Sequence, residues 1–151
     1  MTTRNRDRKR VVITGMGAMT PLGETIGEYW DGLVNGRSGI GPITLVDSSD
    51  YPCKIAGEVS GFDPAKYINP KEARRMARFS QLAVSAAGLA IEDAGLDLSK
   101  EDAERLGVVT GSGVGGLPTT EDNARILVEK GGMKMSPFFI PMMLPNMASA
   151  N

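Results

Sequence analysis

Two glycine-rich turns, each lying between a β-branched run and a helical pattern, constrain the fold of this chain most strongly. Residues 11–14 are followed by Gly15-Met16-Gly17, and residues 107–110 lead into the glycine-rich segment 111–116. A β-branched run that is closed by glycines is typical of a buried strand ending in a tight turn. Because helical patterns follow both turns, strands and helices alternate, which predicts a layered α/β architecture.

Capping residues and hydrophobic periodicity predict where the helices begin and end. The patterns indicate helices over 26–34 and 70–94, a third that is capped near Thr119 or Thr120 and ends before Gly131, and a short strand over 54–59. Thr25 and Glu28 form a capping box for the first helix, and Asn69 caps the second with Pro70 at its first position. The second helix is expected to be long, with an inner face of small residues.

The absence of histidine and the single cysteine restrict the chemistry that these 151 residues can perform. Without an imidazole there is no Ser-His-Asp triad, no Cys-His pair and no HExxH zinc site. One cysteine excludes an intrachain disulfide and a cysteine-based zinc cluster, so we expect neither a metal nor a cofactor. Cys53 follows Pro52 with no helix N-terminus behind it, which favours a buried or half-buried structural thiol over a nucleophile.

Charge and hydropathy indicate where the protein resides. Residues 1–10 carry five basic side chains and one acidic one, and we interpret them as a solvated basic tail. Nucleic-acid binding is disfavoured because no aromatic residue is interleaved with these charges. There is no secretory signal and no apolar segment of about 18 residues that could cross a membrane. We therefore expect a cytoplasmic protein with no nucleic-acid or membrane partner.

The segment 111–116 also matches the G-x-G-x-x-G pattern of dinucleotide-binding sites. In that interpretation the glycines allow a pyrophosphate to approach a helix N-terminus. Two features disfavour it: residues 118–120 should delay the helix, and the second strand would have to lie only about a dozen residues farther on. A glycine-rich turn packed tightly in a core is the favoured alternative.

Two further clusters allow more than one interpretation. Basic residues occur at i, i+3, i+4 and i+7 of the predicted second helix, so they should share one face: Lys71, Arg74, Arg75 and Arg78. A solvated face and a docking surface for an acidic partner explain them equally well. Methionines cluster around Phe138 and Phe139, at Met133, Met135, Met142, Met143 and Met147. A core is the favoured reason, and an adaptable apolar surface is the alternative.

Taken together, these segments resemble the N-terminal part of the β-ketoacyl-acyl-carrier-protein synthases, the condensing enzymes of type II fatty acid biosynthesis. The similarity lies in residues 10–17, 38–40, 71–79, 105–117, 136–141 and 146–147. The spaced pair GSGVGG and SPFF-I-P is more specific than either glycine motif alone. The resemblance implies a thiolase-like α/β/α/β/α fold that homodimerises, with residues 11–151 forming the first part of its N-terminal half.

The resemblance also implies the reaction, a decarboxylative Claisen condensation between an acyl-enzyme and malonyl carrier protein. In the family the nucleophilic cysteine follows shortly after the position matched by Asn151, and two histidines lie farther on, so Cys53 does not match it. We therefore expect no catalytic residue here, an inactive 151-residue chain and a longer complete one. A non-catalytic chain-length factor, the partner subunit of a polyketide ketosynthase, is the alternative.

The resemblance assigns binding roles to seven residues. Those implied to line the acyl pocket are Gly113 and Val114, at the gate, with Phe139 and Ile140, which reach across the dimer. Those implied to dock the acyl carrier protein are Lys71, Arg74 and Arg75. The implied partners are thus an acyl carrier protein, acyl and malonyl thioesters and a second copy of the chain.

Overall fold

The computed structural model describes residues 9–151, so the predicted basic tail lies outside the described residues except for its last two positions. In chain order the elements are α1 (Ile26–Val34), β1 (Ile40–Pro42), β2 (Ile55–Gly57), α2 (Pro70–Ala73), α3 (Arg78–Asp93), α4 (Leu117–Lys130), α5 (Phe139–Met143) and α6 (Met147–Ala150). Short 3-10 turns occur at Pro64–Lys66, Ala103–Arg105 and Gly132–Lys134. No helix within residues 9–151 combines the length and the apolar character that crossing a membrane requires.

Local signals locate the first helix and the second strand correctly, whereas β1 was not predicted. The Thr25 hydroxyl accepts a hydrogen bond from the Glu28 amide at 3.2 Å, as the capping box predicts. The Glu28 carboxylate reaches the Glu24 amide at 2.9 Å rather than the amide of Thr25. The strand predicted over 54–59 is present as β2, which pairs antiparallel with β1.

The prediction of one long helix over 70–94 is wrong, because the chain forms α2 and α3 with a break at 74–77. Asn69 begins α2 as predicted, and its side-chain oxygen accepts from the Lys71 amide at 2.9 Å. Ala77 then takes an extended conformation, with φ −71° and ψ 160°. The apolar period therefore continues through a segment whose backbone is not helical.

A side chain of α3 stabilises this break. The Gln81 amide donates to the Ala73 carbonyl at 2.8 Å and to the Met76 carbonyl at 3.4 Å. The Ala73 carbonyl ends α2 and also accepts from the Met76 amide, so Gln81 adds a second donor to it and one to the Met76 carbonyl in the break. Ala73 and Met76 are buried together with Ile68, so α2 covers a small core and leaves its polar side chains outside.

The strands predicted over 11–14 and 107–110 are also wrong for residues 9–151, since neither segment pairs with another strand there. Their side chains are largely exposed, at 90% for Val11, 83% for Ile13 and 98% for Val109. A strand needs a neighbour to bond its amides and carbonyls. Among the described residues neither run forms a ladder with another strand, so the β-branched composition alone does not produce a sheet.

The first glycine turn packs directly on the small face of α3. A Cβ atom on Gly15 would overlap the carbonyl oxygen of Ala90, and one on Gly17 would overlap that of Ala86. Only glycine allows two backbones to approach so closely. The Met16 amide also donates to the Asp93 carboxylate at 2.8 Å. The small residues predicted for the inner face of α3 thus create the space that this turn occupies.

Candidate functional site

The second glycine-rich turn is held firmly at its C-terminal end. The Gly116 amide donates to the Met143 carbonyl at 3.1 Å, and a Cβ atom on Gly116 would overlap the Met142 carbonyl oxygen. Gly115 has φ +81°, and a Cβ atom there would lie 2.6 Å from the Met143 carbonyl oxygen. Both positions therefore require glycine, one for space and the other also for its backbone conformation.

The N-terminal end of the same turn is open. A Cβ atom on Gly111 or Gly113 would meet nothing within 4 Å, and the Val114 side chain is 64% exposed. The Ser112 hydroxyl accepts from the Gly115 amide at 3.0 Å, which ties the two ends of the turn together. The predicted gate residues Gly113 and Val114 are thus exposed on a loop whose far end is anchored.

This geometry distinguishes between the two interpretations of the G-x-G-x-x-G pattern, a dinucleotide-binding site and a tightly packed turn. Helix α4 begins at Leu117, directly after the turn, so the expectation that residues 118–120 delay it is wrong. The segment 125–128 is helical and supplies no second strand. The Gly116 amide, which would face a pyrophosphate, is already bonded to Met143. At Gly115 and Gly116 the segment is therefore a glycine-rich turn that packs tightly on its neighbours, as the favoured interpretation expects.

The predicted acyl-pocket residues Phe139 and Ile140 begin α5. Phe139 is partly buried, whereas Ile140 is 56% exposed. The carbonyl of Ser136 accepts from the Phe139 amide at 3.0 Å, and the Ser136 hydroxyl accepts from the Phe138 amide at 3.2 Å. Because the last residues of α5 contact the glycine turn, the structure joins the two predicted acyl-pocket segments through the backbone.

The predicted docking residues lie on and just after α2. Lys71 is in the helix, Arg74 caps it, and Arg75 is in the turn that follows; all are exposed. Neither Lys71 nor Arg74 takes part in an ion pair within residues 9–151. The Arg75 guanidinium carbon lies 5.0 Å from the centre of the Phe138 ring, a cation–π contact that brings the docking segment beside the acyl-pocket segment.

The expectation that Arg78 shares a helix face with Lys71, Arg74 and Arg75 is wrong, because the break at 74–77 separates them. The Arg78 guanidinium donates to the Val59 carbonyl at 2.6 Å and to the Phe62 carbonyl at 3.3 Å. It also lies 4.6 Å from the centre of the Phe62 ring. Arg78 therefore fastens α3 to the preceding loop and is not part of a free basic surface.

A second cation near α2 is also held by the chain. The Glu24 carboxylate lies 3.3 Å from the Lys66 ammonium group and accepts a hydrogen bond from the Tyr67 hydroxyl at 2.9 Å. The hydrogen bond to Glu24 raises the pKa of the Lys66 amine. Burial, followed by the bond to Glu24, raises the pKa of the Tyr67 hydroxyl. Lys66 is thus a partner of Glu24 rather than a free docking charge.

Two sequence interpretations need correction. Cys53 is exposed in the loop between β1 and β2, where its thiol faces the Ile55 carbonyl at 3.4 Å, so the expected burial is wrong. The methionine cluster does not form a buried core, because Met133 is 97% exposed and the other four are only partly buried. Within residues 9–151 no group of three or more His, Cys, Asp or Glu side chains could hold a metal ion.

Sequence reasoning missed Asn123, a polar residue of α4 that is only 5% exposed. Its side-chain nitrogen donates to the Thr119 carbonyl at 2.9 Å, and its side-chain oxygen accepts from the Ser136 amide at 3.0 Å. One signal could have found it: Asn123 lies three and four residues before Ile126 and Leu127, on the apolar side of the helix.

Comparison with known families gives one match over nearly the whole chain. A family model described as "Beta-ketoacyl synthase, N-terminal domain" matches residues 8–151. A Synechocystis protein named 3-oxoacyl-[acyl-carrier-protein] synthase 2 is 51% identical over 145 residues, which cover 96% of this chain and 35% of that protein. A Staphylococcus aureus protein of the same name is 46% identical over 141 residues, which cover 93% of this chain and 34% of that protein. This chain thus spans about a third of the length of these relatives.

Solved structures give the same result for the fold. The ishigamide ketosynthase/chain length factor matches with a TM-score of 0.78 and 31% identity, over 95% of this chain and 36% of that one. A β-ketoacyl synthase from Burkholderia phymatum matches with a TM-score of 0.76 and 31% identity, over 95% of this chain and 36% of that one. The third match is a type II polyketide ketosynthase, solved with its acyl carrier protein and bound to a hexaketide. Its TM-score is 0.76 and its identity 29%, over 95% of this chain and 37% of that one.

Proposed function

Because the chain belongs to the β-ketoacyl synthase family, as part of its N-terminal domain, we propose that the complete protein is a 3-oxoacyl-acyl-carrier-protein synthase of fatty acid biosynthesis. The observation that carries this proposal is the 51% identity to a relative of that name over almost the entire chain. In the proposed reaction, malonyl carrier protein loses carbon dioxide. The resulting carbanion attacks the acyl thioester on an enzyme cysteine, which forms a 3-oxoacyl carrier protein and releases the cysteine thiolate.

In this proposal the 151 residues supply binding surfaces and not the reacting groups. The chain has no histidine, and its one cysteine, Cys53, is exposed in a loop far along the sequence from the family motif that would carry a nucleophile. The resemblance assigns the cysteine and the histidines to the part of the relatives that this chain does not span. We therefore expect the 151-residue chain to be inactive alone and the complete enzyme to act in the cytoplasm.

The exposed end of the glycine turn suits contact with an acyl chain. Val114 presents a branched apolar side chain next to Gly113, whose position is open to solvent. Covering apolar groups stabilises a bound chain by about 0.8 kcal/mol for each methylene. Phe139 and Ile140 supply a second apolar wall, and the exposure of Ile140 is consistent with its reaching a second copy of the chain in a homodimer.

The free cations on α2 suit an acidic carrier protein. Lys71 and Arg74 are exposed, and Arg75 adds a third positive charge beside them. Unpaired surface charges of one sign accelerate the approach of a partner of the opposite sign and help to fix its orientation. A related solved structure, a ketosynthase in complex with its acyl carrier protein, supports a carrier as the partner.

A polyketide partner subunit is the second candidate. The similarity to a ketosynthase/chain length factor, at 31% identity and a TM-score of 0.78, favours it over unrelated functions. A chain-length factor would retain the fold and the surfaces described above and would lack the nucleophile. The two candidates therefore differ in activity rather than in the geometry of this segment.

The test is product formation by the complete protein with acyl and malonyl carrier proteins. We expect a 3-oxoacyl product from the complete protein and from its Cys53→Ser variant, and no product from the 151-residue chain. A complete protein that binds carrier but forms no product by itself would support the chain-length factor. Turnover by the 151-residue chain alone would contradict the assignment of the reacting groups to the remainder of the protein.

A further inference from the structure

Asn123 is an unusual residue for the middle of α4 because its amide group is buried and both of its functional ends are bonded. It is 5% exposed, and its hydrogen bonds to Thr119 and Ser136 measure 2.9 and 3.0 Å. The bond to Thr119 stays within the helix and orients the side chain. The bond to Ser136 crosses to a segment 13 residues farther along the chain.

Ser136 passes this restraint on to the start of α5. Its hydroxyl accepts from the Phe138 amide at 3.2 Å, and its carbonyl accepts from the Phe139 amide at 3.0 Å. Together these bonds form the turn from which Phe139 and Ile140 project. The side chain of Asn123 is therefore connected through Ser136 to Phe139, the first of the two proposed acyl-wall residues, and Ile140 follows it in α5.

The C-terminal end of α5 packs on the glycine turn and Phe138 contacts Arg75, but the N-terminal side of α5 has few hydrogen bonds of its own. Helix α5 has five residues and no side-chain cap, and the preceding turn at Gly132–Lys134 has no side-chain cap either. A helix this short is not stable by itself and depends on its surroundings. Gly131 and Gly132, at the start of the turn, add conformational freedom, so the Asn123 bond is what fixes Ser136 against α4.

We propose that Asn123 is a positioning residue that sets acyl-chain-length selectivity by holding residues 136–140 against α4. The inference rests on the proposed condensing function, because it assumes that Phe139 and Ile140 line the acyl site. Asn123 itself does not reach the acyl chain. It fixes the angle at which α5 begins, and thereby the depth of the apolar wall that a long chain needs and a short chain does not.

The experiment compares long-chain and short-chain acyl carrier substrates in the complete enzyme. In Asn123→Ala we expect the ratio of kcat/KM for a tetradecanoyl over a hexanoyl substrate to fall by about fivefold or more, as the loss of the hydrogen bond to Ser136 suggests. Asn123→Asp keeps an acceptor oxygen for the Ser136 amide but loses the donor to the Thr119 carbonyl, so its ratio should lie between those of Asn123→Ala and the wild type. A merely structural residue would lower both rates and leave the ratio unchanged.

A matched control is Gln81→Ala, which removes another side-chain amide with two hydrogen bonds, neither of them to residues 136–140. It should leave the ratio unchanged. If Asn123→Ala does not fold, Ser136→Ala removes only the hydroxyl that accepts from Phe138 and should shift the ratio in the same direction. A wild-type ratio in Asn123→Ala, or in Ser136→Ala where the former cannot be purified, overturns the inference. A wild-type enzyme without condensation overturns the proposed function instead.

Discussion

The glycine turn at 111–116 and the basic segment at 71–78 divide in the same way, into residues that the chain holds and residues that it leaves open. In the turn, Gly115 and Gly116 pack against residues 142–145, whereas Gly111 and Gly113 have open space around them. In the basic segment, Arg78 is bonded to Val59 and Phe62, whereas Lys71 and Arg74 are exposed without an ion pair among residues 9–151.

The comparison shows that a repeated residue type within one motif need not have one role. The glycines that look alike in the sequence differ because a neighbouring backbone covers only two of them. The cations differ because a break in the helix turns Arg78 toward a loop. In both motifs the held residues build the fold, and the open residues are the ones available to a ligand or partner.

The largest difference in the free energy of unfolding is expected between substitutions at the two ends of the glycine turn. Gly116→Ala introduces a Cβ atom that overlaps the Met142 carbonyl and should lower the free energy of unfolding by about 3 kcal/mol. Gly113→Ala, in open space, should change it by no more than about 0.5 kcal/mol. Denaturant unfolding of the complete protein measures both. Equal losses would mean that the turn is not divided as described.

A smaller effect is expected from the two kinds of cation. Arg78→Ala removes two hydrogen bonds to backbone carbonyls and the contact with Phe62, and should cost about 1 kcal/mol at this partly solvated site. Arg74→Ala should change the free energy of unfolding by less than about 0.5 kcal/mol, since its side chain has no described partner. A larger loss in Arg74→Ala than in Arg78→Ala would reverse the comparison for this segment.

The smallest effect is expected at Glu58, a carboxylate that the chain holds by hydrogen bonds. Glu58 accepts from the Thr44 hydroxyl at 2.6 Å and from the Thr44 and Leu45 amides, and the Thr44 hydroxyl is the main cause that lowers the pKa of Glu58 below 4.5. The resulting stability is present above pH 4.5 and is lost as the pH falls through the lower folded-state pKa. Glu58→Gln should therefore reduce the loss of stability on acidification in this range, as measured by unfolding at a series of pH values. An unchanged pH dependence would contradict the role of this carboxylate.

Local signals predicted the starts of α1 and α2 but not those of α3 and α4, which begin at Arg78 and Leu117. Thr25 and Asn69 cap their helices as expected because capping involves only nearby residues. The break after α2 was not predictable from periodicity, since the Gln81 amide acts from the next helix. The β-branched runs at 11–14 and 107–110 have a strand composition, but a strand also needs a partner.

The site was predictable to a different extent. The resemblance predicted the family, and the match over residues 8–151 confirms it. The thiolase-like α/β fold is confirmed by the similarity to solved ketosynthases. The roles of Gly113, Val114, Phe139, Ile140 and the α2 cations stay predictions. The burial of Asn123 could have been predicted from its place on the apolar side of α4, but its hydrogen bond to Ser136 could not, since no spacing rule indicates it.

The most direct test of the division between held and open residues is the affinity of the complete protein for an acyl carrier protein. We expect Lys71→Glu with Arg74→Glu to raise the dissociation constant by at least about tenfold at low salt, because two attractive charges become repulsive. Arg78→Ala, at a held cation, should leave the affinity within about twofold of wild type. An unchanged affinity in the double variant, or a greater loss in Arg78→Ala, would contradict the assignment of carrier docking to the open cations of α2.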